Sequence, residues 1–516
     1  MNGASTAATA TTDAFAPAME KAAEMTRYLR SRGAFAASHT DLERYVKTEG
    51  REVLRLMLQG HHELRALAER PVRVEGADRV LRSFLRPSSR PVLSIVGRVD
   101  VARLAYQAHN VDGLHPMDAA LNLPPEMYSH EVRRRAATRA AEASFEEVAK
   151  TLSDETGAAI GKRQAEELAA RAAQDFDDFY AARAAVAEET SDLLILTFDG
   201  KGIPMRRQDL RPETRKAADA TPRRLRTRLT KGEKRHRKRM AEVAAVYTVA
   251  PNVRLWTDVV AELKPVRDVD REQQRPRPSN KRVWASIEKA ANDVIRDAFD
   301  EARRRDPEKK RRWVVLVDGN ADQIRLVKKM ARKFGVSITI IVDLIHVLEY
   351  LWKASYAFHP EGSNEAEAWV QQRLMWLLRG EHAKVRANLR VNAKLRGLVG
   401  AALKPVTKCL RYMKGVRHYL AYDRALAAGL PIATGVIEGA CRYLVKDRME
   451  KTGARWSLKG AEAVLRLRAL RASGDFDAYW AFHLDREHAR HHRARYADDA
   501  PPLPIPALRP TLRLVK

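Results

Sequence analysis

Two aspartates of the sequence each follow an apolar run of strand length. Asp199 comes directly after LLILTF (193–198), Asp318 comes directly after WVVLV (313–317), and a glycine follows each of them. Ligand sites in α/β sheets gather at the carboxyl ends of strands, so we expect these carboxylates at one sheet edge on neighbouring strands. They would repel each other there unless a divalent cation binds them, and Mg²⁺ prefers hard oxygen ligands. The alternative is that each Asp-Gly pair only marks a turn.

A third carboxylate, Glu438, lies one turn into a predicted helix whose other residues are apolar or basic. Arg442 follows four residues later and so lies on the same helix face. An acid among basic residues, facing the end of a sheet, suits the binding of a metal ion together with phosphate groups. The alternative is an ordinary Glu–Arg pair on the surface.

Three such carboxylates would suit the binding of two Mg²⁺ ions, or of Mn²⁺ in their place. Two ions about 3.5–4 Å apart activate a nucleophile and stabilise a leaving oxygen. A strongly basic protein with this site would cut or join phosphodiester bonds.

The charge of the chain favours a polyanionic partner. Its 516 residues include 94 Lys and Arg against 66 Asp and Glu, a formal net charge of +28, and Arg and Lys dominate 201–239. We therefore predict that this segment contacts the phosphates of double-stranded DNA. The alternatives are a solvated basic face, or an Arg-rich composition without a polyanionic partner.

Membrane proteins and disulfide-rich proteins are not indicated. No apolar run approaches the roughly 20 residues that a membrane helix needs, so no membrane partner is expected. The N-terminus has neither the basic nor the apolar region of a signal peptide. The two cysteines, Cys409 and Cys441, exclude a disulfide framework and fit a reducing cytoplasm. Cys441 is interpreted as a small buried residue rather than a nucleophile.

The elements that must position the three acids alternate between strands and helices. Besides the two runs before the aspartates, the predicted elements are strands at 240–249 and 336–342 and helices at 281–305, 321–334, 344–430, 434–451 and 461–472. Thr434 is the predicted N-cap of the helix that carries Glu438. The pattern favours an α/β core interrupted by a large helical segment.

The N-terminal part is predicted to be mainly helical with a short β-hairpin. Residues 1–18 are expected to form a disordered leader, and 92–107 alternate around Gly97 as a hairpin does. The segments 144–152 and 160–173 have the spacing of a helix-turn-helix, which either reads DNA or is a structural helix pair.

The tail from Glu487 is rich in His and Arg and then in Pro. It is predicted to be a solvated extension. His488, His491 and His492 could bind a metal ion, but an exposed tail is the favoured interpretation.

Five separated motifs resemble those of ISKra-type insertion-sequence transposases, which are DDE enzymes with an RNase H-like fold related to Mutator-like transposases. The motifs are TFDGKGIPMR (197–206), GEKRHRKRMAEVAAVY (232–247), VLVDGNADQI (315–324), IVDLIHVLEYLWKA (341–354) and IEGACRYLVKDRMEKTGARWS (437–457). The resemblance implies an α/β RNase H-like catalytic core with a large all-α insertion, preceded by a mainly α-helical DNA-binding region. The chain departs from the family at 106–111, where a CxxC is common, so a zinc site is not expected there.

The resemblance also assigns roles to individual residues. Asp199, Asp318 and Glu438 would be catalytic and would bind two Mg²⁺ or Mn²⁺ ions, with Asp343 and His346 beside them. The enzyme would nick the transposon end with water, and the freed 3′-hydroxyl would attack target DNA. It would act as a homodimer or higher oligomer on DNA. The expected DNA contacts are Lys201, Arg206, Arg207, Arg235, Arg237, Lys238, Arg239, Arg442, Lys446, Arg448 and Trp456.

The predicted organisation has six parts. They are the leader 1–18, the N-terminal region 19–187, the core in two pieces at 188–346 and 434–480, the insertion 347–433 and a basic, Pro-rich tail 481–516. Two alternatives stay open, a transposase-derived DNA-binding protein without catalytic activity and a metal-dependent nuclease of the RNase H fold.

Overall fold

The chain divides into two compact units. Unit 1 comprises residues 1–179 and 477–516, and unit 2 comprises residues 180–476. The computed structural model describes residues 13–220, 225, 227, 237–262, 275–433 and 435–505. No helix within these residues is long and apolar enough to cross a membrane.

Helices and strands are mixed along the described residues. The helices are α1 (Ala16–Leu29), α2 (Arg32–Ala36), α3 (His39–Ala68), α4 (Pro116–Ala120), α5 (His130–Ala140), α6 (Phe145–Thr156), α7 (Lys162–Ala172), α8 (Phe176–Ala182), α9 (Pro212–Asp219), α10 (Trp256–Glu262), α11 (Ala291–Arg305), α12 (Ala321–Phe334), α13 (Leu344–Ser355), α14 (Asn364–Leu378), α15 (His382–Leu395), α16 (Gly400–Val416), α17 (Tyr422–Ala427), α18 (Gly435–Ala440), α19 (Asp447–Met449), α20 (Leu458–Ala472) and α21 (Phe476–His491). The strands are β1 (Phe84–Ser94), β2 (Gly97–Ala108), β3 (Val111–Leu114), β4 (Leu193–Pro204), β5 (Lys238–Val249), β6 (Ser279–Ser286), β7 (Trp313–Val317) and β8 (Ile338–Val342).

The predicted hairpin is present in unit 1 and is longer than the sequence pattern indicated. Strands β1, β2 and β3 form an antiparallel sheet in that order. Gly97 at the β1–β2 turn has φ +127°, and a Cβ atom there would lie 3.0 Å from Cδ of Arg55. Both the backbone angle and the close neighbour therefore favour glycine at this turn.

The two helices of the predicted helix-turn-helix are also present. Ser144 caps α6 by accepting a hydrogen bond from the N–H of Glu147. Gly157 ends the helix with φ +73°, and α7 follows after a short turn. The helix pair is confirmed, while its contact with DNA stays a prediction.

The ends of unit 1 differ from the sequence expectation. Residues 1–12 lie outside the described part, and α1 already begins within the predicted leader, at Ala16. The solvated extension predicted from Glu487 is wrong for the described residues up to 505, because α21 continues to His491 and Tyr496 is buried against Tyr106. Polar composition suggested solvation, but the polar groups of this tail are paired within unit 1.

Unit 2 contains a five-stranded sheet in the order β6-β5-β4-β7-β8. Strand β4 is parallel to β7, and β7 is parallel to β8, while β5 is antiparallel to both β4 and β6. The apolar runs 193–198 and 313–317 are buried throughout, as expected of strands covered on both faces. The prediction that the two strands before the aspartates are neighbours is confirmed.

Two of the predicted elements in unit 2 are corrected. Strand β4 does not end at Asp199-Gly200 but continues to Pro204, because these residues go on pairing with β5. The helix predicted from residue 281 begins only at Ala291, since 279–286 form the edge strand β6. Short apolar stretches such as VWAS (283–286) fit both the helical period of 3.6 residues and the strand period of 2. Pairing with β5 is what makes this stretch a strand.

The predicted helical segment after β8 is present as α13 to α17. The helix of Glu438 follows as α18, and its predicted N-cap Thr434 lies outside the described residues. Arg235 also lies outside them.

A buried cluster of charges stabilises one side of unit 2. The carboxylate of Glu301 on α11 accepts hydrogen bonds from Arg282 at 2.8 Å and from Nε of Arg305 at 2.8 Å. Burial alone would raise the pKa of Glu301, but the two guanidinium groups outweigh burial and lower the pKa to about 2. The folded state therefore favours the ionised form of Glu301.

We predict a loss of stability in acid that depends on Glu301. The contribution is fully present above pH 4.5, the ordinary value for the unfolded chain, and is lost as the pH falls toward 2. It amounts to about 3 kcal/mol, since one pKa unit corresponds to about 1.4 kcal/mol. Urea unfolding between pH 6 and pH 2 measures the free energy of unfolding. The loss in acid should be present in wild type and in the neighbouring control Asp300→Asn, but this contribution should be absent from Glu301→Gln. If the free energy of unfolding depended on pH in the same way in wild type and in Glu301→Gln, Glu301 would not be the source of the loss.

Candidate functional site

The register of the sheet places Asp199 and Asp318 side by side. The paired residues of β4 and β7, from Leu194–Trp313 to Thr197–Leu316, are each 119 positions apart. Asp199 and Asp318 have the same separation. Continued by two residues beyond the last pair, this register would place the two aspartates in one row and on one face of the sheet. Neighbouring strands are about 4.8 Å apart, so this arrangement would allow one cation to contact both carboxylates.

The helix of Glu438 is connected to this row through Cys441. The Cys441 thiol donates a hydrogen bond to Oδ2 of Asp199 at 3.2 Å, and α18 contacts β4 and β5. Burial raises the pKa of the Cys441 thiol, and the negative charges of Asp199 and Glu438 raise it further. The thiol stays protonated and so can keep donating its hydrogen bond, as expected of a buried cysteine rather than a nucleophile.

The backbone around Glu438 has an unusual form. The helix is π-helical at Cys441–Lys446, directly after α18. Such turns occur frequently at functional sites because the wider spacing re-aims side chains. Glu438 itself is exposed, on the face of the helix that is open to solvent.

The loop after β7 holds Asp318 from two sides. The N–H of Asn320 donates to Oδ1 of Asp318 at 2.7 Å, and the hydroxyl of Tyr412 donates to its backbone oxygen at 2.7 Å. Gly319 has φ +93°, and a Cβ atom there would lie 2.8 Å from the Tyr412 ring. The helical segment therefore supports the loop of Asp318 through Tyr412 on α16.

Asp343 and His346 lie near the same sheet edge. Asp343 follows β8 by one residue and stands 25 positions after Asp318, which is also the separation of the β7–β8 pairs. Its N–H donates to the backbone oxygen of Val317, and its side chain caps α13 through Ile345 N–H at 2.8 Å. His346 is half-buried on the first turn of α13. Asp343 is thus a helix cap that extends the row of aspartates.

Sequence reasoning missed Glu242. This residue of β5 is paired with Gly200, so strand alternation places it on the face of the sheet opposite to that of Asp199. Burial chiefly raises the pKa of Glu242, Arg211 opposes the rise, and the charges of Asp199 and Asp318 add to it. A single acid inside the apolar run MAEVAAVYTV was the signal that could have identified it.

The residues predicted to contact DNA fall into three groups by exposure. Arg448 and Trp456 are buried and pack against each other, with the guanidinium 4.7 Å from the ring centroid. That prediction is corrected, because both side chains are buried instead of facing solvent. Exposed members are Arg206, Arg207, Lys238, Arg442 and Lys446, and half-buried members are Lys201, Arg237 and Arg239.

Some of these cations already have partners within unit 2. Lys238 forms an ion pair with Glu450, and Arg207 forms one with Asp219. Arg239 donates to the backbone oxygen of Ile287 at 2.9 Å, and burial lowers the pKa of its guanidinium. Arg239 therefore has a structural role, whereas Arg206 and Lys446 extend from the surface.

A second group of potential metal ligands lies in unit 1, and it does not consist of the histidines His488, His491 and His492 that the sequence analysis considered. Asp175, His483 and Glu487 are buried, and their ligand atoms all lie within 4.8 Å of one another, close enough to hold a metal ion. Among the described residues, Asp199, Asp318 and Glu438 do not meet this criterion as a set of three. A Mg²⁺ ion, however, is usually bound by only one or two carboxylates, so a two-ion site does not need all three together.

The unit 1 group is also a network of ion pairs. Nδ1 of His483 contacts Asp175 at 2.7 Å, and Nε2 of His483 contacts Arg133 at 3.2 Å. Arg133 also pairs with Glu126 and Glu487, and Arg490 pairs with Asp175 and Glu487. These two arginines offset the carboxylate charge without a metal ion.

Comparison with known proteins gave no match, either to a protein-family model or to a curated protein sequence. The functional interpretation therefore depends on the geometry of the site in unit 2.

Proposed function

We propose that this protein is a DDE transposase of the ISKra type, which cleaves double-stranded DNA at insertion-sequence ends and joins it to target DNA. The observation that carries the proposal is the arrangement of the three acids. Asp199 and Asp318 share one row of the sheet, and Cys441 connects the helix of Glu438 to Asp199. The core of unit 2 would be RNase H-like, with α13 to α17 as its helical insertion.

The donor set suits Mg²⁺ or Mn²⁺. Carboxylate oxygens are hard ligands, and two acids in one row gain from a cation that offsets their repulsion. Asp199, Asp318 and Glu438 would hold two ions, which supply the activation of water and the stabilisation of the leaving oxygen.

The residues around the acids would hold them in place for this chemistry. The Gly200 N–H donates to Oδ1 of Asp199 at 2.7 Å, and the Cys441 thiol donates to Oδ2. Asp318 is fixed by Asn320 and Tyr412. Side chains held by such contacts lose little orientation when substrate binds, which is the basis of a preorganised site.

DNA would be bound by positive charge around this site. The net charge of +28 and the exposed residues Arg206, Arg442 and Lys446 would neutralise phosphates along a duplex. Such contacts give affinity without reading sequence. We propose a homodimer or higher oligomer on DNA, because two transposon ends must be joined to one target, and a nucleoid-associated location.

Metal dependence tests the proposed chemistry. If terminal inverted repeats flank the gene, we expect duplex DNA that carries them to be cut in Mg²⁺ or Mn²⁺. Ca²⁺ should support binding with little cutting, because its flexible coordination positions the nucleophile poorly. The measurement is strand cleavage on denaturing gels, with each metal and with excess EDTA. Full activity in EDTA would contradict the proposal.

The same assay separates the two alternatives. Binding without cleavage in any metal would indicate a transposase-derived DNA-binding protein. Metal-dependent cleavage of unrelated duplexes, without a preference for the repeats and without strand transfer, would indicate a nuclease.

A further inference from the structure

A cavity of about 350 Å³ lies in unit 2, among the end of α11, the start of β6 and the end of α20. Its volume is within the range of about 300–1,000 Å³ that is usual for small-molecule sites. None of the three proposed catalytic acids lines it. Five basic side chains do, namely Arg183, Lys281, Arg282, Arg304 and Arg305.

The acids of the cavity do not offset all of this positive charge. The carboxylates that line it are Glu188, Glu301 and Asp475. Asp475 pairs with Arg183 at 3.2 Å, and Glu301 holds Arg282 and Arg305. Five cations against three anions leave an excess of two positive charges.

Lys281 and Arg304 carry this excess. Within the described residues, Lys281 forms no ion pair, and its Nζ lies 5.8 Å from the ring centroid of Tyr443. Arg304 approaches Glu301 only to 3.7 Å, beyond hydrogen-bond distance. Burial lowers the pKa of Arg304, and the charge of Arg282 lowers it further. The charge of Glu301 opposes the shift by raising the pKa of Arg304.

Arg282 makes the cavity a built site rather than a patch of surface charge. Its side chain is only 5% exposed, and its guanidinium lies 3.4 Å from the ring centroid of Tyr180 and 4.5 Å from that of Trp284. Its Nε has no hydrogen-bond partner among the described residues.

We infer that this cavity binds a phosphate group, carried either by a free nucleotide or by the DNA backbone. The terminal phosphate of a nucleotide supplies up to two negative charges, a backbone phosphodiester supplies one, and both offer acceptor oxygens for guanidinium and ammonium donors. The inference goes beyond the proposed cleavage site and does not depend on it.

The test compares two doubly substituted proteins of equal net charge. Lys281→Gln/Arg304→Gln removes the excess charge of the cavity. The control Arg296→Gln/Arg303→Gln removes two charges from α11, the helix that carries Arg304, at exposed positions outside the cavity. Binding of pyrophosphate and of a 16-base-pair duplex is measured by calorimetry at fixed salt.

Either of two results supports the inference. If the cavity takes a free phosphate, pyrophosphate binding weakens at least about tenfold, or about 1.4 kcal/mol, in Lys281→Gln/Arg304→Gln and not in the control, because two charged donors to the phosphate are lost. If the cavity takes a backbone phosphate, binding of the duplex weakens by at least this factor in Lys281→Gln/Arg304→Gln and not in the control. Equal affinities of the two variants for both ligands would overturn the inference. The measurement needs no cleavage, so it is independent of the proposed activity.

Discussion

Replacement of Asp199 or Asp318 by Asn, or of Glu438 by Gln, should lower the rate of DNA cleavage at least about 1,000-fold. Each change keeps the size of the side chain and removes the negative charge that would bind a metal ion. Loss of one stabilising group in an active site costs about 10²–10³ in rate, and loss of a direct metal ligand should cost at least as much. Binding of transposon ends should stay nearly intact, because it rests on many phosphate contacts.

Two exposed acids provide matched controls. Asp322→Asn removes a carboxylate four residues after Asp318, and Glu349→Gln removes one on α13. Both variants should cut at the wild-type rate. Cleavage rates come from labelled duplexes, and filter binding measures affinity. Wild-type cleavage by any one of the three acid variants would remove that residue from the site.

Arg133→Met should destabilise unit 1 by about 3–5 kcal/mol. The Arg133 side chain is fully buried, and it pairs with Glu126, Glu487 and His483. Removal of one partner from a buried network leaves carboxylates in the interior without their cation. Chemical unfolding followed by circular dichroism measures the effect.

Arg134→Met is the control for this prediction. Arg134 is adjacent in sequence but 40% exposed, and it pairs with the exposed Asp477. An exposed pair is worth about 0–1 kcal/mol. Equal destabilisation by the two variants would show that the buried network does not stabilise unit 1 in the way proposed.

The sequence was sufficient to predict the helices and strands whose apolar residues recur at a regular spacing. Apolar runs of strand length predicted β4 and β7 as neighbours, and helical periodicity predicted α13 to α17. Gly97 marked the turn of the hairpin in unit 1. These predictions rest on periods of 2 and 3.6 residues, which the sequence displays directly.

Features that depend on distant partners could not be predicted. Burial of His483 and Glu487 depends on Arg133, about 350 positions earlier in the chain. Cys441 reaches Asp199 over 242 positions. Asp199-Gly200 has the composition of a turn, yet pairing with β5 extends the strand through it. Tertiary contacts override local preference in each case.

Direct counting of bound metal ions tests the central claim, that Asp199 and Asp318 form a shared metal site. Electron paramagnetic resonance can titrate Mn²⁺ into wild type and into Asp199→Asn/Asp318→Asn, each saturated with end duplex. The proposal predicts two ions per wild-type chain that are absent from the variant, whether or not the Asp175, His483 and Glu487 group adds an ion to both. The same number of bound ions in the two proteins would contradict it.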